Sequence, residues 1–273
     1  LATLDLRGFQ LDDVLMHAEG RLGVRLDPAS AVYGESGATV GFATASGTWV
    51  RLRRRARDRI HSAAWVGLEA SATVRGVRKP AWHQSATWTD RDRDLVWRAD
   101  EMELIVAPVV DNPAHAGALP ASWWVRMRES LAALAAHETE RVGMSQRHVT
   151  RRVREVFGSA VDVTVDDWTT AHTDLHWGNV TTEAQLLDWE DWGLAPAGLD
   201  AATLWQAALP FPAVAARVED EFAAELTTRS GRIARLLQCA NAIRAAGRLG
   251  HLTPLSRPAT DAARELIASL RFE

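Results

Sequence analysis

The chain has 273 residues, 47% of them hydrophobic, and a formal net charge of -4. That length and apolar content support a substantial core, as one large domain or two modest lobes, and the mildly acidic balance gives no global electrostatic case for a nucleic-acid partner. The only cysteine, Cys239, lies in an apolar helical stretch, which excludes an internal disulfide framework and points to a small buried hydrophobe in a reducing, cytoplasmic setting.

In chain order, residues 1–20 carry acidic groups and no long apolar run. No signal peptide is expected there, and no stretch reaches transmembrane length; the first residue is Leu1, which leaves the natural start open. Leu11, Val14, Leu15 and Leu22 have roughly helical spacing, so 9–24 reads as a leading helix. Short β-prone runs follow at 31–34, 39–44 and 48–52, punctuated by Gly34, Gly37 and Gly47, and read as an antiparallel meander. Residues 61–71 are expected to be helical, with Trp65 and Leu68 on the apolar side. Residues 82–89 and 94–99 form a second hairpin, with Leu95, Trp97 and Ala99 on one face.

A connector rich in Pro, Ala and Gly, Ala107 to Pro120, is the candidate boundary between an N-terminal lobe at 1–106 and a C-terminal lobe at 107–273. After it, Ser122 is a plausible helix N-cap, and Trp124, Met127, Leu131 and Leu134 fall on one helical face. Further helices are expected at 145–157, 214–227, 231–246 and 258–271, with a short β-like, motif-dense segment at 163–195 between them. The order is α+β with two lobes, not alternating βαβ units.

The chemistry concentrates in one stretch. It contains His172-Thr173-Asp174-Leu175-His176-Trp177-Gly178-Asn179, and Asp188 follows the apolar Leu186-Leu187. Phosphoryl transfer asks the protein to position groups and neutralise charge. Mg²⁺ takes a few hard oxygen ligands from the protein together with nucleotide phosphates. A carboxylate must orient and deprotonate the attacking hydroxyl. Asp174 as base, with Asn179 and Asp188 as metal ligands, supplies that set. A loop from 174 to 179 and a hairpin through Thr181-Thr182-Glu183 would bring Asp188 beside Asn179.

The pattern His-x-Asp-Leu-His…Asn, then Leu-Asp-Trp-Glu-Asp-Trp-Gly, resembles the aminoglycoside phosphotransferase and small-molecule kinase family. Pro196, Gly198 and Asp200 match its pattern downstream. The specific likeness covers about thirty residues; the lobe order extends it along the chain. The resemblance implies a two-lobed protein-kinase-like fold: a small antiparallel β N-lobe with a helix, then a larger, mostly helical C-lobe. It implies transfer of the γ-phosphate of ATP or GTP to a hydroxylated small-molecule acceptor with Mg²⁺, with neither nucleic acid nor membrane as partner. Asp174 is then the base, Asn179 and Asp188 the metal ligands, His172 a structural brace and Asp200 a loop anchor. Adenine would meet the backbone near Ala99 to Glu103 by the same analogy.

Two departures stand out. The family has Gly where this chain has Thr173, and the only lysine, Lys79, precedes a proline and cannot serve as a strand lysine for the phosphates. Arg51 is the substitute expected here, with Arg53 as second choice and Glu69 as the helix partner. Ser36 and Gly37, in Gly34-Glu35-Ser36-Gly37, could cover phosphates with backbone N–H groups, and a plain hairpin turn fits the same residues. Most of the twelve Trp read as core, including Trp189 and Trp192, while Glu190 and Asp191 could meet the metal through water or a cationic acceptor. Two other readings remain: a pseudokinase that binds nucleotide without turnover, and a zinc hydrolase using His172, Asp174 and His176. The acceptor's identity, ATP against GTP, and the oligomeric state are left open.

Overall fold

The computed structural model describes residues 5–34, 36–60, 63–159 and 161–271. They divide into two compact units, one of residues 1–73 and 80–106, the other of residues 74–79 and 107–273.

In the first unit, helix α1 (Asp12–Leu22) precedes strands β1 (Val32–Tyr33), β2 (Thr39–Ala43) and β3 (Thr48–Ala56). The short helix α2 (Gly67–Ala70) and the strands β4 (Trp82–Asp90) and β5 (Leu95–Glu103) complete it. The sheet is antiparallel throughout, in the order β1-β2-β3-β5-β4. Period-two alternation sends Val40, Phe42, Val50, Leu52, Leu95, Trp97 and Ala99 to one face, where Val14, Ala18 and Leu22 of α1 close the core. The expected helix at 61–71 is not one continuous helix. His61 and Ser62 lie outside the described residues, and from Ala63 the chain makes 3₁₀ turns around the four residues of α2. The carbonyls of Ala64 and Trp65, which a longer helix would use itself, accept instead from the Arg53 guanidinium at 3.0 and 2.6 Å.

The second unit holds α3 (Pro113–Ala116), α4 (Ala121–Ala135), α5 (Gln146–Phe157), and a two-stranded sheet of β6 (Trp168–Ala171) and β7 (Gly193–Pro196). The chain ends in α6 (Leu199–Ala208), α7 (Pro212–Glu221), α8 (Ala223–Leu226), α9 (Arg229–Leu249) and α10 (Ser256–Leu270). Helix α4 starts two residues earlier than the Ser122 cap implies, because Pro120 holds the N-cap in extended geometry. Trp124, Met127, Leu131 and Leu134 are buried as their spacing requires. The helix expected at 214–227 is broken at Phe222 into α7 and α8. Helix α6 has no counterpart among the expected elements. Leu199, Ala201, Ala202, Leu204, Trp205 and Ala208 are all buried, so it carries no amphipathic period to read.

Tryptophans pin the motif segment to this core. The indole N–H of Trp123 donates to the Thr181 carbonyl (2.9 Å), that of Trp177 to Leu204 (3.1 Å), and that of Trp189 to Leu186 (2.8 Å). Each ring buries its area while its one polar atom is satisfied. Trp189 and Trp192, both 2% exposed or less, are packing residues. Among the described residues no helix is long and apolar enough to cross a membrane.

Candidate active site

In the second unit, β6 delivers the chain into the loop at 172–179. The carboxylate of Asp200, in the first turn of α6, accepts from the His172 amide (2.7 Å) and the Thr173 amide (2.9 Å). Both amides need a partner, because His172 is fully buried and a buried backbone N–H left unpaired is costly. Burial raises the Asp200 carboxyl from an ordinary 3.8 to about 6, while the two amides pull it down. His172 Nε2 bonds the Leu187 carbonyl at 2.7 Å and is therefore the protonated nitrogen. Burial pushes this imidazole down to about 4, so it is a neutral brace between the loop and the segment before Asp188.

Beyond the clamp the loop closes on itself. The Asp174 carbonyl accepts from the His176 amide (3.0 Å) and from Asn179 Nδ2 (2.9 Å), and the Asn179 amide donates to the His176 carbonyl (2.8 Å). Leu175 and Trp177 are buried anchors, which turns the side chains of Asp174 and His176 outward, where both are exposed. With Nδ2 spent on Asp174, the oxygen left on the Asn179 amide is Oδ1, the atom a hard cation takes.

The return hairpin forms as the spacing predicts. Val180 bridges Leu186, the Thr181 amide donates to Gln185 (3.0 Å), and the Leu187 amide to Asn179 (2.9 Å). Asp188 follows directly, exposed, in left-handed conformation (φ 61°). The Asp174 carboxyl lies above its usual range. Partial desolvation by the protein behind it is the largest cause; nearby His176 lowers it, and the charges of Asp188, Asp191 and Glu190 raise it. A carboxylate so adjusted is a better proton acceptor than an isolated aspartate.

Thr173 takes up a conformation that favours glycine. Its φ of 69° is the left-handed region that glycine takes without strain. The threonine is held there by the Asp200 clamp and by its hydroxyl, which donates to the Asp191 carbonyl at 3.0 Å. Among the described residues no group of three or more His, Cys, Asp or Glu could hold a metal. The zinc arrangement of His172, Asp174 and His176 is not formed, since His172 is buried with Nε2 committed to Leu187. One amide oxygen and one carboxylate do fit Mg²⁺, which keeps waters and takes its other oxygens from phosphates.

The N-terminal expectations fare differently. Glu69 meets Arg98 of β5 at 2.8 Å, a residue the sequence reading passed over. Arg98 also chelates Asp100 at 2.7 Å, and Asp100 binds Arg53 at 3.2 Å, so a buried ion network lies on the sheet face away from α1. Arg53, 3% exposed and committed to two carbonyls and Asp100, is not available as second choice for a phosphate ligand. Arg51 is half-buried on that same face, opposite Asp100 and Gly41 in register. The indole of Trp49 covers Gly41 so closely that a Cβ there would lie 2.2 Å from its ring. Ser36 and Gly37 lie between the paired strands β1 and β2. Gly37 is buried, its N–H donates to the Gly34 carbonyl (2.9 Å), and Ser36 Oγ accepts from the Ala38 amide. The Asp5 carboxylate would lie 2.1 Å from a Cβ at Gly37. Glu35 is outside the described residues.

Comparison by sequence finds nothing: no family model and no curated protein matches this chain. Comparison by structure does. An amicoumacin kinase, solved with AMP-PNP, Ca²⁺ and Ami, superimposes with a TM-score of 0.58 at 12% identity, covering 97% of this chain and 95% of that one. A thermostable mutant of aminoglycoside phosphotransferase APH(4)-Ia, in ternary complex with AMP-PNP and hygromycin B, gives 0.59 at 10% identity over 94% and 98%. APH(2")-IIia, in complex with GDP and kanamycin, gives 0.54 at 11% identity over 96% and 98%. At such identities the likeness is one of fold: the chain has the two-lobed, kinase-like fold of the aminoglycoside phosphotransferases.

Proposed function

We propose that this chain is a phosphotransferase that moves the γ-phosphate of ATP or GTP onto a hydroxyl of a small molecule. The reading is carried by the clamped, self-closed loop at 172–179, which holds Asp174 and Asn179, and by its pairing with Leu187, which leads directly into Asp188. The fold shared with the amicoumacin kinase and with APH(4)-Ia, each held with AMP-PNP, supports it.

In this reading Asp174 orients the acceptor hydroxyl and takes its proton as the oxygen bonds to the γ-phosphorus. The bond from that phosphorus to the bridging oxygen breaks, and the nucleoside diphosphate leaves. Asn179 Oδ1 and the Asp188 carboxylate would hold Mg²⁺, which when bound neutralises charge on the phosphoryl oxygens. Arg51 would be the phosphate ligand supplied by the first unit, since its planar fork takes a phosphate bidentately. Glu190 and Asp191 give the acceptor side an acidic character that suits a cationic, hydroxylated molecule.

The test is a nucleotide-consumption screen with ATP and GTP, with Mg²⁺, against a panel of aminoglycosides, other hydroxylated antibiotics, sugars and amino alcohols. The expected result is diphosphate release that depends on both Mg²⁺ and one class of acceptor. Thermal stabilisation by nucleotide with no turnover on any acceptor would replace the enzyme with a nucleotide-binding regulator. Tightly bound zinc with no response to nucleotide would overturn both.

A further inference from the structure

Residues 187–192, which carry Asp188, Glu190 and Asp191, have neither helix nor strand geometry. Three consecutive carbonyls in this stretch are captured by side chains from elsewhere. Arg141 Nη2 donates to Glu190 (3.0 Å), Thr173 Oγ1 to Asp191 (3.0 Å), and Arg141 Nε to Trp192 (3.1 Å). The Arg141 guanidinium also lies 4.7 Å from the centroid of the Trp192 ring. Its own backbone is stitched to β7, which follows: the Leu194 amide donates to the Arg141 carbonyl (2.7 Å), and the Gly143 and Met144 amides to the Leu194 carbonyl (3.1 and 2.8 Å).

Gly143 shows how tightly this strap is seated. A Cβ there would lie 2.6 Å from Thr173 Cγ2, 3.0 Å from the Asp191 carbonyl oxygen and 3.1 Å from the Gly193 nitrogen. The strap is wedged where the catalytic loop meets the acidic segment.

We infer that Arg141 is a positioning residue: through the Glu190 and Trp192 carbonyls it fixes the backbone that presents Asp188, and with it the metal edge of the site. The inference rests on the phosphotransferase reading above. A guanidinium fork sets two carbonyls at once where an ammonium sets one. Groups that orient a metal ligand from behind are worth about tenfold or more in metal affinity or activity when removed.

The experiment uses the full chain and two variants, Arg141→Lys and Arg141→Met. Hydrogen exchange is followed in the metal-free, nucleotide-free protein, and Mn²⁺ binding in the presence of AMP-PNP by electron paramagnetic resonance. Wherever the screen yields an acceptor, the half-saturating Mg²⁺ concentration and kcat follow. Amide exchange across 189–194 is expected to rise about tenfold in both variants, with α9 and the first unit unchanged. Mn²⁺ affinity is expected to fall about tenfold, with lysine failing to rescue it. Wild-type protection and Mn²⁺ affinity in both variants would overturn the inference, as would exchange that rises uniformly along the chain. Should no acceptor be found, the exchange and Mn²⁺ arms still decide the role of Arg141, so its failure and that of the phosphotransferase reading are told apart.

Discussion

Asp200→Asn separates the charge of the loop clamp from its hydrogen bonds. In the folded protein the Asp200 carboxyl is raised from 3.8 to about 6, chiefly by burial. A carboxyl raised on folding binds more protons in the native state than in the unfolded one between those values. Stability is therefore greatest below the lower value and is lost as pH rises toward the upper one. The full gap corresponds to about 3 kcal/mol. Between pH 8 and pH 5 linkage gives about 1.4 kcal/mol, since at pH 5 the native carboxyl is mostly protonated and the unfolded one is not. Asparagine presents an amide donor where one backbone N–H needs an acceptor, a loss of about 1–3 kcal/mol that does not vary with pH. Urea unfolding of both proteins at pH 5 and pH 8 measures the difference. Wild type is expected to gain about 1.4 kcal/mol relative to the variant on going to pH 5. A pH-independent difference, or one that grows toward pH 8, would refute the claim that burial dominates at this carboxylate.

Asp100→Asn leaves the Arg53 and Arg98 guanidinium groups, each under 6% exposed, without their shared countercharge; a loss of about 3–5 kcal/mol by denaturant titration is expected, and a loss under 1 kcal/mol contradicts the network. At Thr173, Gly relieves left-handed strain but loses the hydroxyl bond and loosens the unfolded chain, so its stability stays within about 1 kcal/mol of wild type. Thr173→Val keeps the strain and loses the bond; it is expected to be the less stable of the two by calorimetry. In α9, Gly231→Ala puts a Cβ 2.0 Å from the Glu225 carbonyl oxygen, whereas a Cβ at Gly247 meets nothing within 4 Å. The first is expected to lose about 1–3 kcal/mol and the second to gain about 0.5–1 kcal/mol, and equal melting temperatures would contradict the packing between α8 and α9.

The parts of the fold that were legible in the sequence are those where one side of an element faces the core. Leu95, Trp97 and Ala99 alternate because only one face of β5 meets α1, and Trp124, Met127, Leu131 and Leu134 recur because only one face of α4 is buried. Helix α6 was illegible because it is buried nearly all round. The ion network was missed for a related reason. Arg98 and Asp100 are 4% and 0% exposed, yet in a strand sequence they look like the solvent side of an ordinary alternation. The signal was their companion Arg53, two positions from Arg51 on the same face of β3. The loop geometry around Asp174 and Asn179 and the returning hairpin was readable because short-range spacing dictates it. Arg141 and Gly143 were not, because they act across about thirty to fifty residues of chain through carbonyls, which carry no residue identity.

The most direct test is phosphoryl transfer by wild type, Asp174→Asn and Asp188→Asn on the same acceptor, with nucleotide binding measured in parallel. Both variants are expected to bind AMP-PNP. Asp174→Asn should lose about 10²–10⁴-fold in kcat at every Mg²⁺ concentration, and Asp188→Asn should shift the Mg²⁺ dependence itself. Wild-type kcat in Asp174→Asn would contradict the account at its centre.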